Sequence, residues 1–487
     1  MLGSVAEGAA GSRDLDVLFD WVDRLPAILI GAGLVALALA AYWLPGSDRV
    51  YNHFVWQALA FLQGTAVIDW PVDLGGFPRG NDWMQDIYPL SELTGQPVDG
   101  ALLPFPPLPA ILLMPFVAVW GLATDIRAVS VLLGAIDVGL AWWALGRLPV
   151  SRRIRLATTI FFGFGTVFWY AAQLGTTWFF AHVSAVTFIL LAVGVALGAD
   201  PHADDEVEDP PSPGGLVRSL VDQLRRPLAL IDGRQVLAGL LFGLACTARL
   251  PVVFGAPFFM LVGGGGTWVR RSVSAGVGAA IPVGLLLVYN IATTGHILHP
   301  GYDWQYQQEA NGYPTLNYHP DWGIEDPRYL VQNLQIMFLS TPVLAPERPP
   351  SSLGDRDEQL CAEPGATRGL FDRDCPIAVP RDIGMSIILT SPAYLLAAWA
   401  LFRRRSRLVA GAWLAILLIA VVNLMHFSQG WVQFGYRFSN DFVVFALPLV
   451  AIGMDQRGGV RVLGFVLVAA AVAINLWGVI WGNILGW

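Results

Sequence analysis

The chain of 487 residues contains no lysine, so all 29 of its basic side chains are arginine. Charge of either sign is scarce: 14% of residues are charged against 55% hydrophobic, and the mean hydropathy is +0.55. Soluble domains carry about a quarter charged residues, so an ordinary soluble protein is excluded. The net charge of −8, with no basic aromatic patch, argues against nucleic acid as the partner. Three cysteines are too few for a disulfide framework. Cys246 lies in an apolar run and reads as a small core residue, whereas Cys361 and Cys375 share a polar loop. Those two can pair if the loop faces an oxidising compartment. A cleavable signal of the usual form is missing, and the acidic lead DLDVLFDWVDRL reads as a segment lying on a membrane surface. There is no internal repeat on the scale of a transporter. Histidines 296, 299 and 319 lack metal-site spacing, and GGGG at 263–266 lacks the lysine of a phosphate loop.

Long apolar runs are what the chain has instead. A helix needs about 18 apolar residues or more to cross the hydrocarbon core, and runs of that kind recur throughout. The spans read as 26–44, 127–148, 155–172, 178–199, 236–250, 252–264, 272–292, 383–402, 408–425, 438–454 and 462–484. The pair 236–264 is split at Arg249-Leu250-Pro251, where proline removes a backbone donor. The fold class expected is an all-α polytopic membrane protein of about eleven spans.

Arginine sets the orientation. The clusters RLPVSRRIR (147–155), VRR (269–271), RRRSR (403–407) and DQRGGVR (455–461) all fall on the N-terminal side if 106–121 does not cross. The segment 106–121 is therefore expected to be re-entrant or interfacial. The domain plan follows: a cytoplasmic lead (1–25), a first transmembrane helix (26–44) and an outer loop (45–126). Next come transmembrane helices (127–292) with a cytoplasmic linker at 200–235, a second outer loop (293–382) and C-terminal transmembrane helices (383–487). Within the linker, Asp204, Asp205, Glu206 and Glu208 open an acidic, proline-rich stretch that reads as disordered.

The polar residues gather on the outer side. VYNHFVWQALAFLQG (50–64) has the spacing of an amphipathic interfacial helix and carries His53. Asp48 precedes it, and Asp69, Asp73, Asp82 and Asp86 follow, the last two in NDWMQDIY. With the helix from Pro106, this makes two surface helices bracketing an acid-bearing loop. Arg249 ends one apolar run, and Arg437 opens another in QFGYRFSNDF with Asp441 four residues on. That spacing suits either a structural ion pair or a guanidinium grip on phosphate. His182, inside TTWFFAHVSAV, is more often a hydrogen-bonded core residue than a proton carrier at such a position. The second outer loop holds Tyr302, Trp304, Tyr306, Tyr313, Tyr318, Trp322, Arg328 and Tyr329, a set suited to stacking on sugars or to a membrane interface.

The interfacial helix ending in AFLQG, the acidic loop, FPPLPAILLMPF, the ARLP turn and FGYRFSNDFVVFALPLV together resemble the GT-C membrane glycosyltransferases. The likeness is to the family-39-like group that includes protein mannosyltransferases and the lipid A aminoarabinose transferase, over roughly 45–455. It implies a GT-C-like fold and transfer of a sugar from a polyprenyl-phosphate donor to an unidentified acceptor (protein, lipid or polysaccharide). It also implies an active site on the outer face of a prokaryotic plasma membrane. A first-loop acid would act as general base: Asp82 by its place before the proline-rich helix, then Asp48, then Asp86. A lone Asp48 stands where the family often has an acid pair. Arg249 and Arg437 would hold the lipid phosphate, with Asp441, His53, His182, Arg328 and Tyr329 around the substrate. No cofactor is required, and a divalent metal is compatible but not indicated. The alternatives are a lipid-carrier flippase or transporter, or a catalytically inactive GT-C scaffold.

Overall fold

A computed structural model describes residues 20–44, 46, 51–69, 86–205, 231–312, 321–348, 359–430, 432–455 and 459–487. It is a helical membrane-type bundle. The only described sheets are two-residue ribbons, Tyr88–Pro89 with Ala101–Leu102 and Val343–Leu344 with Ala378–Val379. Five helices are long and apolar enough to cross a membrane: Ile126–Leu145, Thr177–Ala199, Trp268–Thr294, Arg407–Met425 and Gly459–Leu485. A sixth arises if Arg152–Phe164 and Phe168–Leu174, bent by 50° at their junction, count as one.

The difference from the eleven runs expected lies partly in short helices, Ala27–Trp43 (17 residues) and Val443–Met454 (12 residues), and partly in broken ones. The run 155–172 is bent, and 236–264 becomes Gly233–Cys246, a 3-10 turn Leu250–Gly255 and Ala256–Leu261. The run 383–402 divides into Ile387–Thr390 and Tyr394–Arg403 around Pro392. Each break sits at a glycine or proline that cannot sustain helix geometry. Leu108–Trp120 is a 13-residue helix, short for a crossing as the sequence indicated.

Capping side chains mark where helices begin. Ser151, Thr267 and Ser406 accept from backbone N–H groups at Ile154, Arg270 and Val409, supplying acceptors that the first turn lacks. At the opposite end Asp125 does the same for Ala128. Every residue of Val443–Met454 is buried, which makes this the central helix. Around it one large apolar core joins most of the bundle.

The arginine clusters share one end of this bundle. Arg407 is bidentate to Asp200 (2.8 and 3.1 Å), Arg271 reaches the same carboxylate at 3.3 Å, and Arg404 pairs with Asp204 at 2.7 Å. Asp455, paired with Arg461, lies in the field of Asp204. Arg152 and Arg153 bind Leu25 and Asp23 of the N-terminal lead. This corrects the reading of Asp204 as a solvated linker residue: it is buried against Arg404 and Ser406. Residues 206–230 lie outside the described residues.

At the other end, the two surface helices are His53–Leu62 and Leu108–Trp120. They enclose a second core in which Phe54, Val55 and Ala58 meet Leu113 and Val117, with Ile68, Ile87 and Phe180 between them. The platform foreseen over an acid-bearing loop is thus a packed subdomain. Cys361 and Cys375 form a disulfide in the second loop at this same end, and Cys246 is buried.

Candidate functional site

The acid that this platform positions is Asp86. Its neighbour Ile87 is wholly buried in the platform core, and Tyr88 begins the short ribbon with Leu102, so the backbone at 86 is held from one side. It adopts φ +60°, a left-handed conformation that aspartate tolerates better than most residues. Conformations of this kind in a non-glycine residue recur at functional sites. The side chain is buried, and Trp178 Nε1 donates to Oδ2 at 2.5 Å. Burial pushes the carboxyl from its ordinary 3.8 up to about 7, against the opposing pull of the Trp178 hydrogen bond and of the Arg437 charge.

Trp178 is fixed by the first surface helix. Thr177 Oγ1 donates to Tyr51 O at 2.9 Å and accepts from His53 N at 3.1 Å, while His53 Nδ1 lies 2.9 Å from the same hydroxyl. The Tyr51 and His53 rings flank the indole at 4.9 and 6.0 Å between centroids. His53 is therefore part of the joint between loop and span. Trp178 carried no signal in the sequence, where an aromatic at the start of a span is unexceptional.

Beneath Asp86 lies a closed polar knot centred on Asp441. Arg249 grips it bidentately, Nε to Oδ1 at 3.1 Å and Nη2 to Oδ2 at 2.9 Å. His182 Nδ1 lies 2.9 Å from Oδ1 and Asn423 Nδ2 donates to Oδ2 at 3.0 Å. The expected i, i+4 partnership of Arg437 with Asp441 gives way to this one for a geometric reason. Residues Arg437–Asp441 form a 3-10 turn, whose period of about three residues does not stack i on i+4. Asn423, a lone amide in the apolar run ILLIAVVNLM, was legible as a costly polar residue within a span.

Arg437 lies between the two tiers. Its Cζ is 5.2 Å from the centre of the Phe438 ring and 5.7 Å from that of Phe179, and its charge acts on both Asp86 and His182. Gly430, at φ +90°, admits it: a Cβ there would sit 2.5 Å from the guanidinium carbon.

The aromatic loop divides into two groups. Tyr88 meets His299 and Trp304, each at 5.9 Å between ring centres, and Tyr302 meets Phe105 at 6.2 Å, within the fields of Arg249 and Asp86. Burial lowers His299 to about 4, and its Nδ1 accepts from Gly301 N at 3.1 Å. Tyr306 and Tyr329, by contrast, lie in a core of the loop itself with Phe427, their hydroxyls 3.1 Å apart. Arg328 is exposed, bidentate to Asp326 at 2.8 and 2.6 Å, and stacked 4.5 Å from the Trp322 ring. The structure thus brings together Asp86, Arg437, Arg249, Asp441, His182 and His53, and sets Arg328 and Tyr329 in a separate group. Asp48, Asp73, Asp82, Tyr313, Tyr318 and His319 lie outside the described residues. No group of acidic, histidine or cysteine side chains among the described residues could hold a metal ion.

Comparison of the chain with protein-family models, with curated proteins and with solved structures finds no match in any of the three. Function must therefore be argued from the site. A buried carboxyl near neutrality within the field of a guanidinium has the elements for taking a proton from a hydroxyl while an anion is held nearby.

Proposed function

We propose that the protein is a GT-C-like membrane glycosyltransferase that moves a sugar from a polyprenyl-phosphate donor to an acceptor hydroxyl on the non-cytoplasmic face. The observation that carries this reading is the pair Asp86 and Arg437: a carboxyl raised to about 7 by burial, within the field of an arginine from a distant segment. Asp86 acts as the general base on the acceptor, and Arg437 holds the phosphate as it leaves with the charge. Arg249, engaged by Asp441, positions that floor rather than gripping the donor. Trp304, half-buried and packed edge-on against Tyr88, is the aromatic side chain nearest to offering a sugar a ring face.

On this reading the fold has eleven spans. The short apolar helices complete crossings that the five long ones leave open, such as Ala27–Trp43, joined at one end to Trp142 through Ala27 O and at the other to Arg127 through Trp43 O. Arginine clusters at one end support a cytoplasmic assignment for that end. The Cys361–Cys375 disulfide supports an oxidising compartment at the Asp86 end.

The test is transfer of radiolabelled sugar from a panel of polyprenyl-phosphate sugars, in membranes holding wild type, Asp86→Asn, Asp82→Asn or Asp48→Asn. Loss in Asp86→Asn alone supports the assignment. Full activity in that variant moves the base to another acid, and no donor consumed by wild type refutes the transferase. One observation favours a lipid-carrier transporter as the second reading. Asp137, midway along Ile126–Leu145, is wholly buried, and its only side-chain hydrogen-bond partner among the described residues is the Thr187 hydroxyl. Acids within spans often mark transport paths.

A further inference from the structure

The second loop, 293–382, contains a helix whose surface does not suit water. Leu330–Leu339, LVQNLQIMFL, has no charged residue in ten. One face is buried through Asn333, Ile336 and Met337. The opposite face is open and mostly apolar: Val331 and Leu339 are 68% and 72% exposed, with Leu334 and Phe338 between them and Gln335 as the one exposed polar side chain. Positions 331, 334 and 338 recur at helical spacing and form one stripe. Shortly after the helix, the ribbon Val343–Leu344 and Ala378–Val379 presents Leu344, 71% exposed, and Ile377, whose carbonyl accepts from Ala345 N at 2.8 Å. An exposed apolar surface of this extent marks an interaction surface.

Its placement identifies the occupant. Asn333 Nδ2 donates to Leu424 O at 2.8 Å and to His426 O at 2.9 Å, which fixes the helix against the last turn of Arg407–Met425. That long helix exposes Leu414, Leu417, Leu418 and Val421. The stripe of the loop helix therefore continues an apolar surface that already belongs to a helix long enough to span a membrane. Trp481, near the end of Gly459–Leu485, donates to Leu370 O at 3.2 Å and ties the far side of the loop, with exposed Leu370 and Phe371, to the same belt.

We propose that Leu330–Leu339 and the Leu344–Ile377 ribbon are not an aqueous loop but a lipid-immersed shelf, bound to the hydrocarbon of the leaflet at the Asp86 end. The stripe takes acyl or prenyl chains, and the buried face holds the shelf to the bundle. This inference is independent of the transferase reading, because it rests on surface and placement alone.

The test places a bimane fluorophore at Val331→Cys, Leu339→Cys and, as a water-facing control, Glu363→Cys, in the full chain reconstituted into phosphatidylcholine vesicles. Cys246 is buried and Cys361 and Cys375 are joined, so the unmodified protein supplies the blank. All three positions are exposed, where substitutions shift stability by about 0.5 kcal/mol or less, so folding should survive. Positions 331 and 339 should be quenched about threefold or more better by doxyl-labelled lipid than by iodide, with the order reversed at 363. Iodide prevailing at 331 and 339 would overturn the shelf. Weak quenching by both agents there would overturn it too, since another chain segment or a second copy would then cover the stripe.

Discussion

Asp441 accepts from Arg249 Nε and Nη2 and from Asn423 Nδ2, and faces His182 Nδ1, all within 3.1 Å. Asp441→Asn keeps the shape and removes both the charge and one acceptor. Its new amide would face either the Arg249 and His182 nitrogens or the Arg249 and Asn423 nitrogens, and neither flip satisfies all four donors. Removing one partner of a buried ion pair costs about 3–5 kcal/mol, and the lower end applies because Arg249 keeps 19% exposure. Arg249→Met alone should cost a comparable amount by orphaning the carboxylate. The double variant should recover most of the loss, with a coupling of about 2 kcal/mol or more, because two charges leave together. Unfolding in mixed micelles of rising dodecyl sulfate fraction, followed by tryptophan fluorescence, measures each corner of the cycle. An Asp441→Asn cost under about 1 kcal/mol, or additive singles, would refute the view that this knot holds the site floor.

Asp86 has a pH signature in two observables. Its folded carboxyl keeps the proton to about pH 7 while an unfolded one releases it near 3.8, so its contribution lowers stability as pH rises from about 4 to 7 and is flat above. Asp86→Asn should remove that slope in micelle unfolding, and a slope unchanged in the variant would show that the group is not buried as described. If Asp86 is the base, wild-type transfer should fall about tenfold per unit below pH 7. Asp137→Leu should raise stability by about 1 kcal/mol or more, since it replaces a buried acid that faces a single hydroxyl, Thr187, by an apolar side chain of similar size. A loss of stability in thermal unfolding would mean that the bond to Thr187 outweighs the burial of the acid.

Much of the arrangement was legible because membrane rules act on single residue types. Arginine position alone separated the two ends, and the short helix after Pro106 followed from its length, whereas the pairing of Cys361 with Cys375 was open in the sequence because it depends on the compartment. Helix continuity was not legible: a hydropathy window averages across Gly165 or Pro392, whereas the backbone breaks there. Asp204 misled because a run of acids next to prolines resembles a solvated linker, and only a partner 200 residues away, Arg404, shows otherwise. The same limit hid Trp178 and the choice of Arg249 for Asp441, since pairings made by tertiary contact leave no local period in the sequence. The aromatic loop failed differently. Composition marked every tyrosine alike, and packing divided them into those beside Asp86 and those inside a separate core.

The two tiers of charge at the site have different freedom, and this bears on how a transferase would use them. In the lower tier Arg249 and Asp441 neutralise each other in a fixed bidentate geometry, so that tier offers a bound phosphate little net field. In the upper tier Asp86 is protonated below about pH 7 and then offsets none of the Arg437 charge. An anion placed near Arg437 offsets the charge that pulls the Asp86 carboxyl downward, and so raises it further. By linkage, donor phosphate and the Asp86 proton should then bind cooperatively, whereas departure of the phosphate returns the carboxylate to the arginine. On the proposed reading only donor complexes whose Asp86 is ionised can take the acceptor's proton, so with donor bound the pH below which transfer falls should lie above the value of about 7 that holds without it.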